Sequence, residues 1–284
     1  MQADEFFKLV DNPEFISGIY NYCDRWCEKC NYVNRCTVGT LEQLLQFGQV
    51  DNEPISADEF TGMLEIATGK SIDPESIQTI TMDVGFDESA AEDETFNLLN
   101  NLPESEEESA FMNEMREAQM YVDAHDLNKV AHEYTVQCFK WKTTMRKYFL
   151  LDDTYPKPKF IYCGPVYLIS KEDSELAAEA FEVIDWFSML IAVKLKRALH
   201  SFYTDNAHFE PDNFQTDFNG SSKVAVNGMS RCLIAYQHLQ LYFPSEYQST
   251  INIIKLLEEL KLKTYVTFPC TDNFIRIGFD QSEV

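Results

Sequence analysis

Cys23, Cys27, Cys30 and Cys36 lie in one short stretch with the spacing C-x3-C-x2-C-x5-C. Thiolates this close together can converge on one soft metal centre. Four of them suit either tetrahedral zinc or an iron–sulfur cluster. Cys23, Cys27 and Cys30 stand at i, i+4 and i+7, which predicts three thiols on one face if the segment is helical. Asn31 to Arg35 then supplies a turn that returns Cys36 as the fourth ligand. Tyr20, Tyr22, Trp26 and Tyr32 surround them, either as cover that keeps water off a metal or as an ordinary small core. Arg25, Lys29 and Arg35 can offset the charge of a tetrathiolate. Structural zinc sites usually use two separated C-x-x-C knuckles, and only Cys27 and Cys30 form one here. Thiols without metal, unpaired or disulfide-bonded, are the remaining reading. Cys138, Cys163, Cys232 and Cys270 sit apart in mostly apolar surroundings and read as core thiols.

The chain that must position these groups is 284 residues long, with 45% hydrophobic content and a net charge of −24. Such a charge repels phosphate backbones, so neither nucleic acid nor an anionic membrane surface is an expected partner. The acid excess reads as solubility, or as a surface for a basic protein partner. No stretch approaches the ~18 apolar residues a span requires, and the start lacks a basic-then-apolar leader. The expectation is therefore a cytoplasmic chain, where thiols stay reduced and a tight cysteine cluster favours metal over disulfides.

Charge divides the chain. Between Leu41 and Glu117 acids outnumber bases roughly ten to one, with only Lys70 and Arg116 basic. Three parts are expected: a cysteine-rich metal-binding module over 1–50, an acidic linker with a short helix (56–68) over 51–109, and a helical bundle over 110–284. Within the linker, 83–109 reads as solvated chain. Apolar spacing from Ser109 to Leu151 predicts one long helix or two joined by a kink. Three prolines mark a loop over 155–169, Ser170 and Asp173 open a helix to about Tyr203, Gly220-Ser221-Ser222 opens the next, and a last runs from Ser245 to about Val266. The fold class is all-α, an antiparallel helical bundle carrying a small N-terminal cysteine-rich metal module.

The helix ending near Tyr203 is apolar on nearly all sides yet carries Glu182, Asp185, Lys194 and Arg197, and the next helix adds Lys223 and Arg231. Charges in such surroundings need partners. Ion pairs within the bundle are one outcome. The other is an anion pocket, in which Ser221, Ser222 and Lys223 open a helix whose free N–H groups hold a phosphate or carboxylate beside Lys194, Arg197 and Arg231. A carboxylate-bridged di-iron centre from Glu179, Glu182, Asp185, His125, His132 and Glu133 lacks the Glu-x-x-His pairs it needs. No Ser-His-Asp or Cys-His set assembles; His200, His208 and His238 read as surface or capping residues.

Cys27-x2-Cys30-x5-Cys36 resembles the last three ligands of the cluster loop in helix-hairpin-helix DNA glycosylases, but the first gap is three residues instead of six and no glycosylase hairpin follows, so no repair activity is implied. Cys23-x3-Cys27-x2-Cys30 is similar in spacing to radical SAM enzymes, with Lys29 where that family places an aromatic and no βα alternation after it. The stretches YNYCDRWCEKC, EAFEVIDWFSMLIAVKLKRAL and GSSKVAVNGMSRCLIAYQHL together resemble an uncharacterised bacterial family of all-helical proteins. That resemblance implies a helical fold and carries no activity. The expected function is a non-catalytic, metal-containing interaction or regulatory protein; the alternative is an iron–sulfur redox or anion-binding enzyme using the basic pocket. Oligomeric state is not legible.

Overall fold

The computed structural model describes residues 14–40, 106–152, 159–205 and 213–280. These are mainly helical: α1 (Glu106–Ala124), α2 (Asp126–Met145), α3 (Lys171–Asp205), α4 (Asp217–Gln240) and α5 (Tyr247–Thr267), with two short strands, β1 (Phe149–Asp152) and β2 (Lys159–Tyr162). The expected linker helix over 56–68 and most of the acidic linker lie outside the described residues. The linker's last residues, expected as solvated chain, already belong to α1.

Of the two readings left open for 109–151, one long helix or two, the structure has two, separated by a clean break at His125. His125 leaves helical geometry at φ −68°, ψ 135°, and its Nδ1 accepts the Leu127 amide at 3.1 Å, so it caps α2. Ser170 caps α3 as expected: its Oγ accepts the Asp173 amide at 3.2 Å and donates to the Asp173 carboxylate at 2.9 Å. The start of α4 differs from the expectation. Thr216 is the cap, accepting the Asn219 amide at 3.3 Å, and the helix opens at Asp217. Ser221 and Ser222 therefore stand inside the helix, and their amides are not the open donors of a helix start. Strand pairing was not expected either. Phe149 faces Tyr162 and Asp152 faces Lys159 in an antiparallel ladder, which puts Phe149 into the core and leaves Leu150 exposed.

The chain divides into two compact units. One contains the described residues 14–17, 31–40 and 106–111. Its Ile16 amide donates to the Arg35 carbonyl at 3.0 Å, and Arg35 Nε donates to the Glu14 carbonyl at 3.1 Å. The other contains Gly18–Cys30 and the helices from Met112 onward. Its core lies where α3 packs on α2, α4 and β2, and where α5 packs on α2 and α4. Phe181, Ile184, Ile191 and Leu195 of α3 are fully buried, whereas Met189 and Val193 are exposed, so α3 is amphipathic with a wide apolar face. Phe149 stacks on Phe181 with ring centres 4.4 Å apart, and Trp141 Nε1 donates to Thr250 Oγ1 at 2.9 Å.

Gly228 is what lets α3 and α4 approach. A Cβ there would lie 2.7 Å from the ring of Phe187 and 3.2 Å from Ile191. Gly228→Ala is expected to destabilise this unit by about 1–3 kcal/mol; urea unfolding followed by far-UV circular dichroism measures it, and an unchanged midpoint would contradict the close packing.

Candidate functional site

The segment Gly18–Cys30 carries three of the four clustered cysteines and belongs to the helical unit. It forms no α-helix. Two short 3-10 turns, Ile19–Asn21 and Cys27–Lys29, flank an irregular stretch with bends at Tyr22 and Cys23. Cys23, Cys27 and Cys30 thus do not share a helical face, a correction to the i, i+4, i+7 expectation. Gly18 (φ 68°) and Arg25 (φ 58°) adopt left-handed backbone. At Arg25, a residue with a Cβ, this conformation costs about 1 kcal/mol and needs strong contacts on either side.

Those contacts come from Asp24 and Trp26. The indole of Trp26, 5% exposed, stacks on Trp186 at 5.4 Å and 11°, with Phe187 edge-on at 5.9 Å. The Arg231 guanidinium lies 5.3 Å from the Trp26 ring and 4.6 Å from that of Phe187. Arg231 also pairs with Asp24 at 3.1 Å, and Trp186 Nε1 donates to the Asp24 carbonyl at 2.9 Å. Lys29 pairs with Glu182 at 2.7 Å, its Nζ 4.4 Å from the Trp26 ring centre. Lys194 Nζ donates to the Asn21 carbonyl at 3.0 Å. The segment is a strap with alternating duties: Asn21, Asp24, Trp26 and Lys29 bind the helices, Cys23 and Cys27 fall between them, and Cys30 follows Lys29.

Cys23 is buried, and its Sγ donates to the Tyr20 carbonyl at 3.6 Å. Burial pushes its pKa up, only partly offset by the Arg25 amide and the Lys194 charge. Burial likewise draws Lys194 down to about 8. Cys27 and Cys30 are half-buried. In the other unit Cys36 is buried at the start of the helical turn over 37–40, and its sulfur accepts the Gly39 amide at 3.5 Å. Among the described residues none of the cysteines is in a disulfide, and no three His, Cys, Asp or Glu side chains are grouped to hold a metal ion.

The basic residues expected to line an anion pocket each have a partner of their own. Lys194 serves the strap. Arg197 forms a two-pronged pair with Asp217, at 2.9 and 2.5 Å. Lys223 binds Asp280 at 2.9 Å and the Phe274 carbonyl at 2.5 Å, tying down the C-terminal FIRIGFD stretch. Arg231 holds Asp24. Ser222 bridges the Asn219 carbonyl and Thr271, and the buried Ser221 hydroxyl has no hydrogen-bond partner among the described residues. Glu182 and Asp185 do form ion pairs, with Lys29 and Lys142. His132 and Glu133, weighed for a di-iron centre, are exposed on α2.

A cavity of about 410 Å³ does open beside the strap. Of the expected basic residues only Arg231 lines it. Arg276, which sequence reasoning passed over, is the second cation there. No local signal marks Arg276, because it reaches the cavity only through the docking of the C-terminal stretch.

Two outcomes are expected. Trp26→Ala removes the stacked pair and should cost about 3 kcal/mol, with loss of near-UV circular dichroism from Trp186; unchanged stability would contradict the docked strap. Burial opposes the charge of Asp280, but bonds from Arg276 and Lys223 outweigh it and hold its pKa at about 2. Its stabilising contribution is complete above the unfolded-state pKa of about 3.9 and is lost as pH falls through the folded value. The stability margin of the native chain over Asp280→Asn should close between about pH 4 and pH 2; a margin unchanged across that window would contradict the pairing.

No protein-family model, no curated protein and no solved structure matches this chain, so a functional reading rests on its own residues.

Proposed function

We propose that this is a non-catalytic regulatory or interaction protein that captures a soft metal, zinc or an iron–sulfur cluster, through the strap thiols Cys23, Cys27 and Cys30 together with Cys36, with the helices forming an antiparallel bundle that the strap docks on. The observation that carries this reading is the interleaving of thiols and anchors over Asn21–Cys30. Zinc–thiolate bonds of about 2.3 Å require three or four sulfurs around one point. Cys23, whose thiol faces the Tyr20 carbonyl, must turn away from its present surroundings to join them. Because Asp24 and Trp26 lie between Cys23 and Cys27, that movement strains the Trp26 stack. Metal capture and strap docking then share one equilibrium, and metal binding shifts it by its difference in affinity for the two states. Kinship with the bacterial all-helical family belongs to the same reading, supported by the three stretches quoted above.

Reduced protein purified without oxygen is expected to hold about one metal centre per chain. A visible chromophore identifies the cluster, and a colourless protein with stoichiometric zinc identifies the structural ion. Changing Cys27 and Cys30 to Ser should abolish retention, and loading the native chain should alter the near-UV signal of the Trp26–Trp186 pair. A metal-free protein whose stability ignores both substitutions would overturn the reading.

A further inference from the structure

The cavity beside the strap has a chemistry of its own, independent of any metal on the cysteines. Its volume, about 410 Å³, is that of a small-molecule site. Phe187, Val224 and Phe279 form its apolar lining. Two guanidinium groups face into this space. Arg231 rests on the rings of Trp26 and Phe187, and among the described residues its only hydrogen-bonded carboxylate is Asp24, held through Nη1 at 3.1 Å. Arg276 lies 5.2 Å from the ring centre of Phe279 and gives Nε and Nη2 to Asp280, at 3.1 and 2.8 Å. The remaining N–H groups of both have no hydrogen-bond partner among the described residues. Asn227 also lines the cavity, and its carboxamide hydrogen bonds to nothing else described.

We infer that this cavity binds a small organic anion that joins an aromatic ring to a carboxylate or phosphate, the anion bridging Arg231 and Arg276 and the ring lying against Phe187 and Phe279. Two stacked guanidiniums present planar donors to an oxyanion, and Phe187 and Phe279 give the cavity an apolar lining against which a ring can rest. Asn227 supplies a neutral polar contact that helps set orientation. The net charge of −24 opposes any anion at long range, but at physiological salt that repulsion is screened beyond about 8 Å, and the two arginines act within contact distance. Asp24 is the competitor for Arg231. Since Asp24 is carried by the strap, an anion at Arg231 loosens the grip of the strap at that point.

Phenyl phosphate is the probe, titrated by calorimetry and by NMR into the full chain with EDTA present, so that the outcome is independent of metal. Saturable binding with Kd below about 1 mM is expected, with benzyl alcohol not binding and inorganic phosphate at least about tenfold weaker. Arg276→Gln should weaken phenyl phosphate about tenfold to hundredfold. Asn227→Leu, a half-buried position whose change narrows the cavity without removing an ion pair, should weaken it as well and guards against a folding defect in the first variant. Lys196→Gln, which removes the same charge at the distant pair with Asp123, should leave it unchanged. No saturation by 10 mM (about ten times the expected Kd), equal binding of benzyl alcohol, or equal affinity of the Arg276 and Lys196 variants would each overturn the assignment.

Discussion

One aromatic ring governs the placement of the whole N-terminal strap. Trp26 is stacked on Trp186, with the Arg231 guanidinium over its ring and Phe187 packed in a T-shaped contact. A segment without α-helix orders at about 1–2 kcal/mol per residue, and the two 3-10 turns return only a few backbone hydrogen bonds. Burying an indole and stacking it recovers a large part of that cost. The left-handed Arg25 is a consequence: it lets Asp24 and Trp26 both address the helices, and it is tolerated only because both neighbours are fixed.

The second constraint is charge. The chain has 23 Lys and Arg against 47 Asp and Glu, so each basic residue has a surplus of acids to choose from. Those on α2, α3 and α4 choose partners that tie separate segments together. Lys194 and Arg231 hold the strap, Lys223 holds the C-terminal stretch, and Lys142 links α2 to α3. Such pairs contribute little stability where exposed, but they select one arrangement among many. The cavity beside the strap is a by-product of two of these ties, since Arg231 and Arg276 are positioned by Asp24 and Asp280 before any ligand arrives.

How far the sequence revealed all this depends on the range of the interaction. Local chemistry was readable: the Ser170–Asp173 cap and the helical periodicity of α2 to α5 are contained within a few residues. The start of α4 was misplaced because Gly220-Ser221-Ser222 looks like a cap, while Thr216, a few residues earlier, supplies the same hydroxyl and leads into the Phe218 packing. The need of Glu182, Lys194 and Arg231 for partners was legible, but not their identity, because the partners lie on the strap more than a hundred residues away. The cysteine spacing was legible as a pattern, whereas its helical reading failed. Trp26 packs sideways onto α3 and prevents that segment from keeping a helical repeat.

The most direct measurement is amide hydrogen exchange across Gly18–Cys30 in the native chain. The strap amides that are hydrogen-bonded, those of Trp26, Lys29 and Cys30 among them, should be protected above random-coil rates and lose that protection when Trp26 is changed to Ala. Exchange at the unprotected rate in the native chain, or protection indifferent to Trp26, would contradict a strap held by its tryptophan.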